Sequence, residues 1–253
     1  RAPRVAILAT GDELVDLDAF DQVLAGRRIV NSNSYALAAA TRATGCDPVV
    51  LGIARDDETS LREHLAAATA ADVLIATAGA SVGEHDLVKN VLDAMGFELA
   101  FWRVQMRPGS PFSFGELPRE GGAPLPVFGL PGNPVSALVT FEILVRPALR
   151  KMQGRRGWYT PVVRVRAAAD IPSRPGLVHF LRVKLERRDD EWLARLTGPQ
   201  GSVILTSVAE ADALLVVPLD VEEIPAGAEV SAILLDGGDA VQAEPGYRTA
   251  REE

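Results

Sequence analysis

Apolar runs of strand length alternate with amphipathic segments of helix length over the first 150 residues of this chain. The alternation starts with an apolar strand at Val5–Thr10 and ends with a long helix at Pro134–Gln153. Strands and helices that alternate in this way form an open sheet with helices on both faces. The sequence therefore predicts an α/β fold with a mostly parallel, doubly wound sheet.

The pattern changes at the segment GRRGW, Gly154–Trp158. Beyond this segment the helical periodicity disappears, and short β-branched runs separated by Pro and Gly take its place. We therefore predict three regions, which are an α/β domain over residues 1–154, a small all-β domain over residues 155–236 and a polar tail over residues 237–253.

Composition excludes several classes of function. The formal net charge of -8 argues against a nucleic-acid-binding surface, which needs a basic face. The single cysteine, Cys46, can form neither an internal disulfide nor a Cys-rich metal site. No apolar run is long enough to span a membrane, and the N-terminus has no secretory pattern. We expect a soluble cytoplasmic protein that binds neither nucleic acid nor membrane.

A tight Pro/Gly turn joins the last strand of the first region to its last helix, in the segment GLPGNP, Gly129–Pro134. Asn133 suits the N-cap position, and Pro134 suits the first helical position. Backbone N–H groups at such a turn are free to bind an anion. The alternative is a well-capped helix without a ligand.

A second strand-to-helix loop, AGASVGEHD, also has the composition of an anion site. Gly79 and Gly83 give it a flexible backbone, Ser81 adds a hydroxyl group, and Asp86 falls where an N-cap is expected. Ligands of parallel sheets bind at the carboxyl ends of the strands, where both loops begin. The alternative for this loop is a tight connection without a ligand.

Carboxylates follow three of the predicted strands. Asp12 and Glu13 come after the first strand, Asp56 and Asp57 after the second, and Asp86 after the third. Carboxylates beside a phosphate site indicate Mg²⁺, which accepts one or two carboxylates together with ligand phosphates. For Asp57 we favour helix capping, and for Asp12, Glu13 and Asp86 we favour a functional role.

A cationic group appears in the segment QMRPGSPFSFG. Arg107 precedes a Pro/Gly turn and could hold an oxyanion with its bidentate guanidinium, and Ser110 follows the same turn. The alternative for Arg107 is an ordinary surface charge. The sequence has neither a Gly-x-Ser-x-Gly elbow nor a P-loop lysine pattern, so we expect metal-assisted or electrostatic chemistry rather than covalent catalysis.

Six motifs occur in an order and spacing that resemble the molybdopterin molybdenumtransferases, a family that includes the E domain of gephyrin. They are TGDEL (Thr10–Leu14), IVNSNS (Ile29–Ser34), GIARDD (Gly52–Asp57), AGASVGEHD, RPGSPFSFG (Arg107–Gly115) and GLPGNPVSA (Gly129–Ala137). The family ends in a small β-barrel-like domain, which the predicted all-β region matches. The resemblance covers almost the whole chain.

The resemblance implies that the chain binds adenylylated molybdopterin, inserts molybdate and releases AMP with the help of Mg²⁺, as a homodimer. It implies catalytic roles for Asp12, Glu13, Asp56 and Asp86, with Glu13 and Asp86 as metal ligands. The residues that it implies for binding the pterin and the oxyanion are Gly79, Ser81, Gly83, Arg107, Ser110, Pro131, Asn133, Pro134 and Ser136.

The chain departs from the family pattern in two ways. The family commonly has Lys-Pro-Gly-Lys-Pro where this chain has Arg107-Pro108-Gly109-Ser110-Pro111, so one positive charge is kept as arginine and one is lost. Family members also carry two N-terminal regions before TGDEL, so the chain corresponds to their C-terminal portion. The alternative function is a non-catalytic molybdopterin-binding or scaffold module that has lost the lysine pair and the N-terminal lid.

Overall fold

The computed structural model describes residues 1–77, 87–235, 245–247 and 249. The strands are β1 (Arg4–Thr10), β2 (Leu14–Val15), β3 (Ile29–Val30), β4 (Asp47–Ala54), β5 (Val73–Thr77), β6 (Glu98–Trp102), β7 (Met106–Arg107), β8 (Ser113–Leu117), β9 (Leu125–Leu130), β10 (Val162–Ala167), β11 (Ile171–Pro172), β12 (Val178–Arg188), β13 (Glu191–Leu196), β14 (Ala213–Val217), β15 (Glu223–Ile224) and β16 (Glu229–Leu234). The helices are α1 (Phe20–Leu24), α2 (Ser32–Ala43), α3 (Glu58–Ala68), α4 (Leu87–Ala94), α5 (Pro134–Thr140), α6 (Arg146–Met152) and α7 (Thr206–Ala209). In this part of the chain, no helix has both the length and the apolar character needed to cross a membrane.

The chain folds into two compact units. The first consists of Arg1–Val104 with Pro111–Val145, and the second consists of Gln105–Ser110 with Arg146–Glu253. The turn that contains Arg107 and Ser110 therefore belongs to the second unit, although the sequence prediction includes it in the first domain. The chain passes from the first unit to the second after residue 145, whereas the predicted boundary lies at residue 154.

Among the described strands of the first unit, six form one sheet in the order β4-β1-β5-β9-β8-β6. β4, β1, β5 and β9 run parallel, whereas β8 is antiparallel to both of its neighbours. All residues of β5 are buried, as expected for a parallel strand that is covered on both faces. The predicted α/β fold with a mostly parallel sheet is confirmed.

Helices cover both faces of this sheet. Leu61 and Leu65 of α3 pack with Ala6 and Leu8 of β1 on one face, where α4 joins the same cluster. Successive side chains of a strand point to opposite faces, so the buried Ile7 projects to the other face. There, α2 packs against β1 and α5. The helices cover the two faces of the sheet, so a site can form at the edge where the parallel strands end.

The last predicted helix is interrupted, although the sequence predicts one helix over Pro134–Gln153. α5 ends at Thr140, a π-helical turn follows over Phe141–Val145, and α6 begins at Arg146. Pro147 explains the interruption, because proline has no N–H for a helical bond and its ring crowds the carbonyl four residues earlier. A π-helical turn directly before the proline relieves this conflict.

Among the described strands of the second unit, five close into a small barrel in the order β13-β10-β16-β14-β12, because β12 also pairs with β13. Val165, Val183, Leu215 and Ala232 belong to its buried core. β7 extends the sheet by pairing parallel with β12. The predicted small β-barrel-like region is confirmed.

Part of the polar tail predicted over residues 237–253 packs on the second unit. Tyr247 contacts Phe180 edge-on, with 6.0 Å between the ring centroids, and burial raises the pKa of Tyr247 to about 12. The main-chain N–H of Leu219 donates to the carbonyl oxygen of Thr249 over 3.0 Å. Apart from residues 245–247 and 249, the tail lies outside the described residues.

Candidate functional site

The ends of neighbouring parallel strands meet at one edge of the first unit's sheet. The hydroxyl of Thr10 donates to the carbonyl oxygen of Thr77 over 3.1 Å, which joins the ends of β1 and β5. The N–H of Gly11 donates to the carbonyl oxygen of Ala54 over 3.3 Å, which joins the ends of β1 and β4. The ends of β1, β4 and β5 are therefore held at the same edge.

Asp12 and Asp56, both exposed, are brought together at this edge. The N–H of Asp12 donates to Oδ2 of Asp56, and the N–H of Asp56 donates to Oδ1 of Asp12, each over 3.3 Å. One oxygen of each carboxylate is used in this way. Because carboxylates on adjoining loops can bind one cation together, this pair is the centre of the candidate site.

Glu13 follows Asp12 in the chain, and its carboxylate lies next to Gly11 at the end of β1. A Cβ atom added to Gly11 would lie 2.5 Å from Oε2 of Glu13, and Gly11 has φ of +135°. Glycine is therefore required at this position, because any side chain would be strained and would displace the Glu13 carboxylate. Glu13 is exposed, and its carbonyl oxygen accepts the N–H of Ile29 over 2.9 Å.

Asp57 caps α3, as the sequence predicts. Its backbone is extended, and its Oδ1 accepts the N–H of Ser60 over 2.8 Å. This bond satisfies one of the free N–H groups at the start of the helix. The carboxylate of the candidate site and the carboxylate that caps α3 are thus adjacent residues of the RDD turn, Asp56 and Asp57.

Replacement of Asp57 with alanine is expected to lower the free energy of unfolding by about 1 kcal/mol, because the N–H of Ser60 loses its partner. Urea unfolding followed by circular dichroism measures this change. Asp57→Asn is the matched control, because asparagine also caps helices and should retain most of the stability. Equal stability of the alanine variant and the wild type would contradict the capping role.

The PGNP turn leads into α5 at the residues that the sequence predicts. Asn133 occupies the N-cap position with an extended backbone, and Pro134 begins α5, but the Asn133 side chain makes no capping hydrogen bond. The main chain makes the first helical bond instead, from the N–H of Ala137 to the carbonyl oxygen of Asn133 over 2.9 Å. Asn133 and Pro134 therefore occupy the predicted positions, and the main chain rather than the Asn133 side chain makes the first bond. Because proline at the first helical position has no N–H, the start of α5 has one donor fewer to satisfy.

A residue that the sequence analysis did not select holds this turn. Nδ2 of Asn33, near the start of α2, donates to the carbonyl oxygen of Gly132 over 2.7 Å. Pro131 and Ser136 on either side of the turn are buried, whereas Asn133 is exposed. The IVNSNS motif contained the signal for Asn33, but only the fold shows which of its polar residues reaches the turn.

Arg107 and Ser110 belong to the second unit, so the structure does not group them with the carboxylates of the first. Arg107 is exposed and pairs in register with His179 of β12. The peptide bond between Arg107 and Pro108 is cis, and Ser110 is half-buried. The backbone of this turn is fixed by the N–H of Val178, which donates to the carbonyl oxygen of Gln105 over 2.9 Å.

His179 is expected to make the stability of the protein depend on pH. Burial lowers the pKa of His179 and the positive charge of Arg107 lowers it further, while the contact of Nε2 with the carbonyl oxygen of Arg174, at 3.2 Å, opposes this. The folded state favours neutral imidazole, so the unfolded state binds the proton more readily. The free energy of unfolding should therefore fall as the pH drops below about 6.5.

Urea unfolding at about pH 7.5 and about pH 5.5 measures this effect, and His179→Gln should show a smaller difference between the two values. Glutamine keeps a polar side chain but does not titrate. An unchanged pH dependence in this variant would contradict the role of His179.

Arg182 is a functional candidate that the sequence analysis missed. Its side chain on β12 is only 1% exposed. Its Nε donates to Oγ of Ser207, and its Nη2 donates to the carbonyl oxygen of Gly201, each over 3.2 Å. Burial lowers the pKa of Arg182 to about 10, and no carboxylate among the described residues opposes this. A buried cation without a counterion is costly, which makes Arg182 a candidate for binding an anion. The only signal in the sequence is a charged residue within the apolar run VHFLRV.

Several predicted residues lie outside the described residues, namely Gly79, Ser81, Gly83 and Asp86. The described residues contain no group of three or more His, Cys, Asp or Glu side chains that could hold a metal ion. The Asp12–Asp56 pair nevertheless offers two carboxylates, the number that Mg²⁺ uses when ligand phosphates and water complete its coordination. The donors therefore fit Mg²⁺ that is bound together with a phosphorylated ligand.

Two protein families match this chain. The family described as "Probable molybdopterin binding domain" matches residues 6–151, which is more than half of the chain. The family described as "MoeA C-terminal region (domain IV)" matches residues 164–235. The first match contains the Asp12–Asp56 pair and the PGNP turn, and the second contains Arg182.

Individual relatives of this chain belong to the same protein family. The molybdopterin molybdenumtransferase of Nostoc sp. is 38% identical over 239 residues, which are 93% of this chain and 53% of that protein. Molybdopterin molybdenumtransferase 1 of Mycobacterium tuberculosis is also 38% identical, over 92% of this chain and 54% of that protein. The crystal structure of the molybdopterin biosynthesis MoeA protein from Pyrococcus horikoshii superposes with a TM-score of 0.74 at 29% identity, over 92% of this chain and 53% of that chain. This chain spans about half the length of the curated relatives it matches.

Proposed function

The chain belongs to the molybdopterin molybdenumtransferase family, and on this premise we propose that it inserts molybdate into adenylylated molybdopterin and releases AMP. The Asp12–Asp56 pair is the observation that supports this proposal most strongly. Two exposed carboxylates that are locked together by backbone bonds at the carboxyl edge of a parallel sheet suit a cation and a phosphorylated ligand.

Asp12, Glu13 and Asp56 would hold Mg²⁺ in this proposal. When bound, Mg²⁺ supplies positive charge that neutralises the phosphate of the departing AMP. The reciprocal bonds between Asp12 and Asp56 keep their free oxygens in place before the ligand arrives. Gly11 leaves room for the Glu13 carboxylate at the strand end. Asp86 remains a proposed ligand on the basis of its motif.

The pterin and molybdate would be bound by the other motifs. We assign the pterin to the loop with Gly79, Ser81 and Gly83, on the strength of its glycine-rich sequence and its place after β5. The turn around Pro131, Asn133, Pro134 and Ser136 is held by Asn33 and would shape the oxyanion end.

Within the second unit, Arg107 is a candidate for holding an oxyanion on the strength of its motif, and Arg182 is a candidate on the strength of its burial. Arg182 is buried without a described counterion, and Arg107 is exposed on the short strand β7. A guanidinium group binds an oxyanion through two parallel N–H bonds. Ser110 offers a neutral hydroxyl where the family commonly has lysine. Family membership also supports a homodimer and a cytoplasmic location as parts of this proposal.

Calorimetry with adenylylated molybdopterin tests the binding step of this proposal. We expect the chain to bind this ligand, and to bind it more tightly when Mg²⁺ is present. The chain without Mg²⁺ and the ligand without its adenylate group are the controls. No binding of the adenylylated pterin under any of these conditions would contradict the proposal.

A further inference from the structure

Gln200, to which neither the motifs nor the comparisons assign a role, contacts the main chain of the buried Arg182. Leu181 and Val183, the neighbours of Arg182 on β12, belong to the barrel core, so Arg182 points to the outer face of the strand. It is nevertheless only 1% exposed, and its hydrogen bonds go to the segment that follows β13. The contacts of that segment therefore decide how Arg182 is oriented.

The side chain of Gln200 replaces one bond of the ladder between two strands. β12 and β13 pair as far as Val183 and Leu196, so the next antiparallel pair would be Arg182 with Thr197. The N–H of Thr197 donates to the carbonyl oxygen of Arg182 over 3.1 Å. The N–H of Arg182 donates instead to Oε1 of Gln200, over 2.8 Å. The Gln200 amide thus takes the place that the carbonyl group of Thr197 has in a regular ladder.

The nitrogen of the same amide group makes two further bonds. Nε2 of Gln200 donates to the carbonyl oxygen of Arg182 over 3.2 Å and to that of Gly198 over 3.0 Å. One side chain therefore joins the main chain of β12 to the turn after β13. Because both the N–H and the carbonyl group of Arg182 are held, the direction in which its side chain leaves the strand is fixed.

The guanidinium group of Arg182 keeps donors that are not used within the protein. Nε donates to Oγ of Ser207, and Nη2 donates to the carbonyl oxygen of Gly201, the residue after Gln200. Within the part of the chain that the structure describes, Nη1 has no acceptor and no carboxylate is paired with Arg182. Because a guanidinium group binds an oxyanion through parallel N–H bonds, the Nη1 side of the group is available for this contact.

Glutamine is the residue type that suits position 200. Glutamate has nearly the same size and could also accept the N–H of Arg182, but its negative charge would pair with the guanidinium group and compete with an oxyanion. It would also lack the donor that the carbonyl oxygens of Arg182 and Gly198 receive. A neutral amide therefore holds the strand and leaves the positive charge without a counterion.

We propose that Gln200 is a positioning residue that orients Arg182 for binding an oxyanion. This inference rests on the proposed function, in which Arg182 is a candidate for holding molybdate. Gln200 acts through Arg182 and does not touch the oxyanion itself. Its amide fixes the main chain of Arg182 before the oxyanion arrives, which lowers the entropic cost of binding.

Calorimetric titration of the chain with molybdate alone tests this inference. We expect Gln200→Leu to bind molybdate about tenfold more weakly than the wild type, and Gln200→Glu to bind it more weakly still. Gln153→Leu is the matched control and should bind molybdate like the wild type. Gln153 is also a half-buried glutamine of the second unit, and its Oε1 accepts an arginine N–H, from Nε of Arg155 over 2.7 Å. Circular dichroism melting curves check that the variants are folded.

A double-mutant cycle distinguishes positioning of Arg182 from a general effect on structure. If Gln200 acts through Arg182, Gln200→Leu should lower the affinity for molybdate in the wild type and leave it unchanged in the Arg182→Met variant. The same loss of affinity in both backgrounds would overturn the inference. So would equal affinity for molybdate in the folded Gln200 variants and the wild type, or no binding of molybdate to the wild type.

Calorimetry with adenylylated molybdopterin separates this inference from the proposed function. If molybdate binding follows the expected order of variants but the adenylylated pterin does not bind, the role of Gln200 stands and the proposed function fails. If the pterin binds as proposed while the Gln200 variants bind molybdate like the wild type, only the inference about Gln200 fails.

Discussion

Replacement of Asp56 with asparagine is expected to slow the release of AMP from adenylylated molybdopterin by about 10²-fold or more. Asparagine keeps the size of the side chain, and its carbonyl oxygen can still accept the N–H of Asp12. It removes the negative charge that, with Asp12, would attract Mg²⁺. Initial rates of AMP release at several Mg²⁺ concentrations measure the effect, and the variant should need more Mg²⁺ to approach its maximum rate.

Asp57→Asn is the control for this experiment. It removes the same charge one residue further along the chain, while asparagine can still cap α3. We expect rates of AMP release close to those of the wild type. Equal rates in the Asp56 variant and the Asp57 variant would show that the Asp12–Asp56 pair has no special role.

Replacement of Arg182 with methionine is expected to weaken the binding of molybdate by about tenfold to 10²-fold without unfolding the protein. Methionine fills most of the buried volume and removes a charge that is 1% exposed and has no described counterion. Because the buried charge itself is costly, the free energy of unfolding should change by no more than about 1 kcal/mol. Calorimetric titration with molybdate and urea unfolding measure the two effects.

The variant Arg182→Lys distinguishes the effect of the positive charge from the effect of the planar guanidinium group. Lysine keeps a positive charge but has no planar fork to bind two oxygens together, so its affinity for molybdate should fall between those of the wild type and the methionine variant. Unchanged affinity in the methionine variant, combined with a large loss of stability, would assign Arg182 a purely structural role through Ser207 and Gly201.

Local sequence patterns predicted the parallel sheet and its carboxyl edge. β1 and β5 contain continuous apolar runs that are buried, β4 is a partly buried strand at the edge of the sheet, and each is followed by turn residues in the sequence. Such runs are buried in almost any α/β arrangement, so their order along the chain was enough to bring Asp12 and Asp56 to one edge. The capping role of Asp57 could also be predicted from the local sequence, because it depends only on the first turn of α3.

Features that depend on tertiary contacts could not be predicted in this way. Arg28 reaches the carbonyl oxygen of Asp12 only because the paired strands β2 and β3 bring the chain back to the end of β1, and two-residue strands have no periodic signal. Arg107 joins the second unit through the equally short strand β7. The role of Asn33 depends on the position of a turn 99 residues away.

A charged residue within an apolar strand indicates a buried charge. Arg182 stands within a run that otherwise reads as a buried strand, and such a position is rare for an unpaired arginine. Conversely, Asn133 has a favourable N-cap sequence, but its side chain makes no cap. In both cases the sequence shows the residue type, but the hydrogen-bond partners of that residue depend on how the fold packs around it.

The release of AMP by this chain tests the central claim most directly. Adenylylated molybdopterin is incubated with the chain, with and without molybdate and Mg²⁺, and AMP is quantified by chromatography. The account predicts that AMP appears when both are present and that it is greatly reduced when either is left out. Tight binding of the adenylylated pterin without release of AMP, at any concentration of Mg²⁺ and molybdate, would contradict the account and favour a non-catalytic binding module.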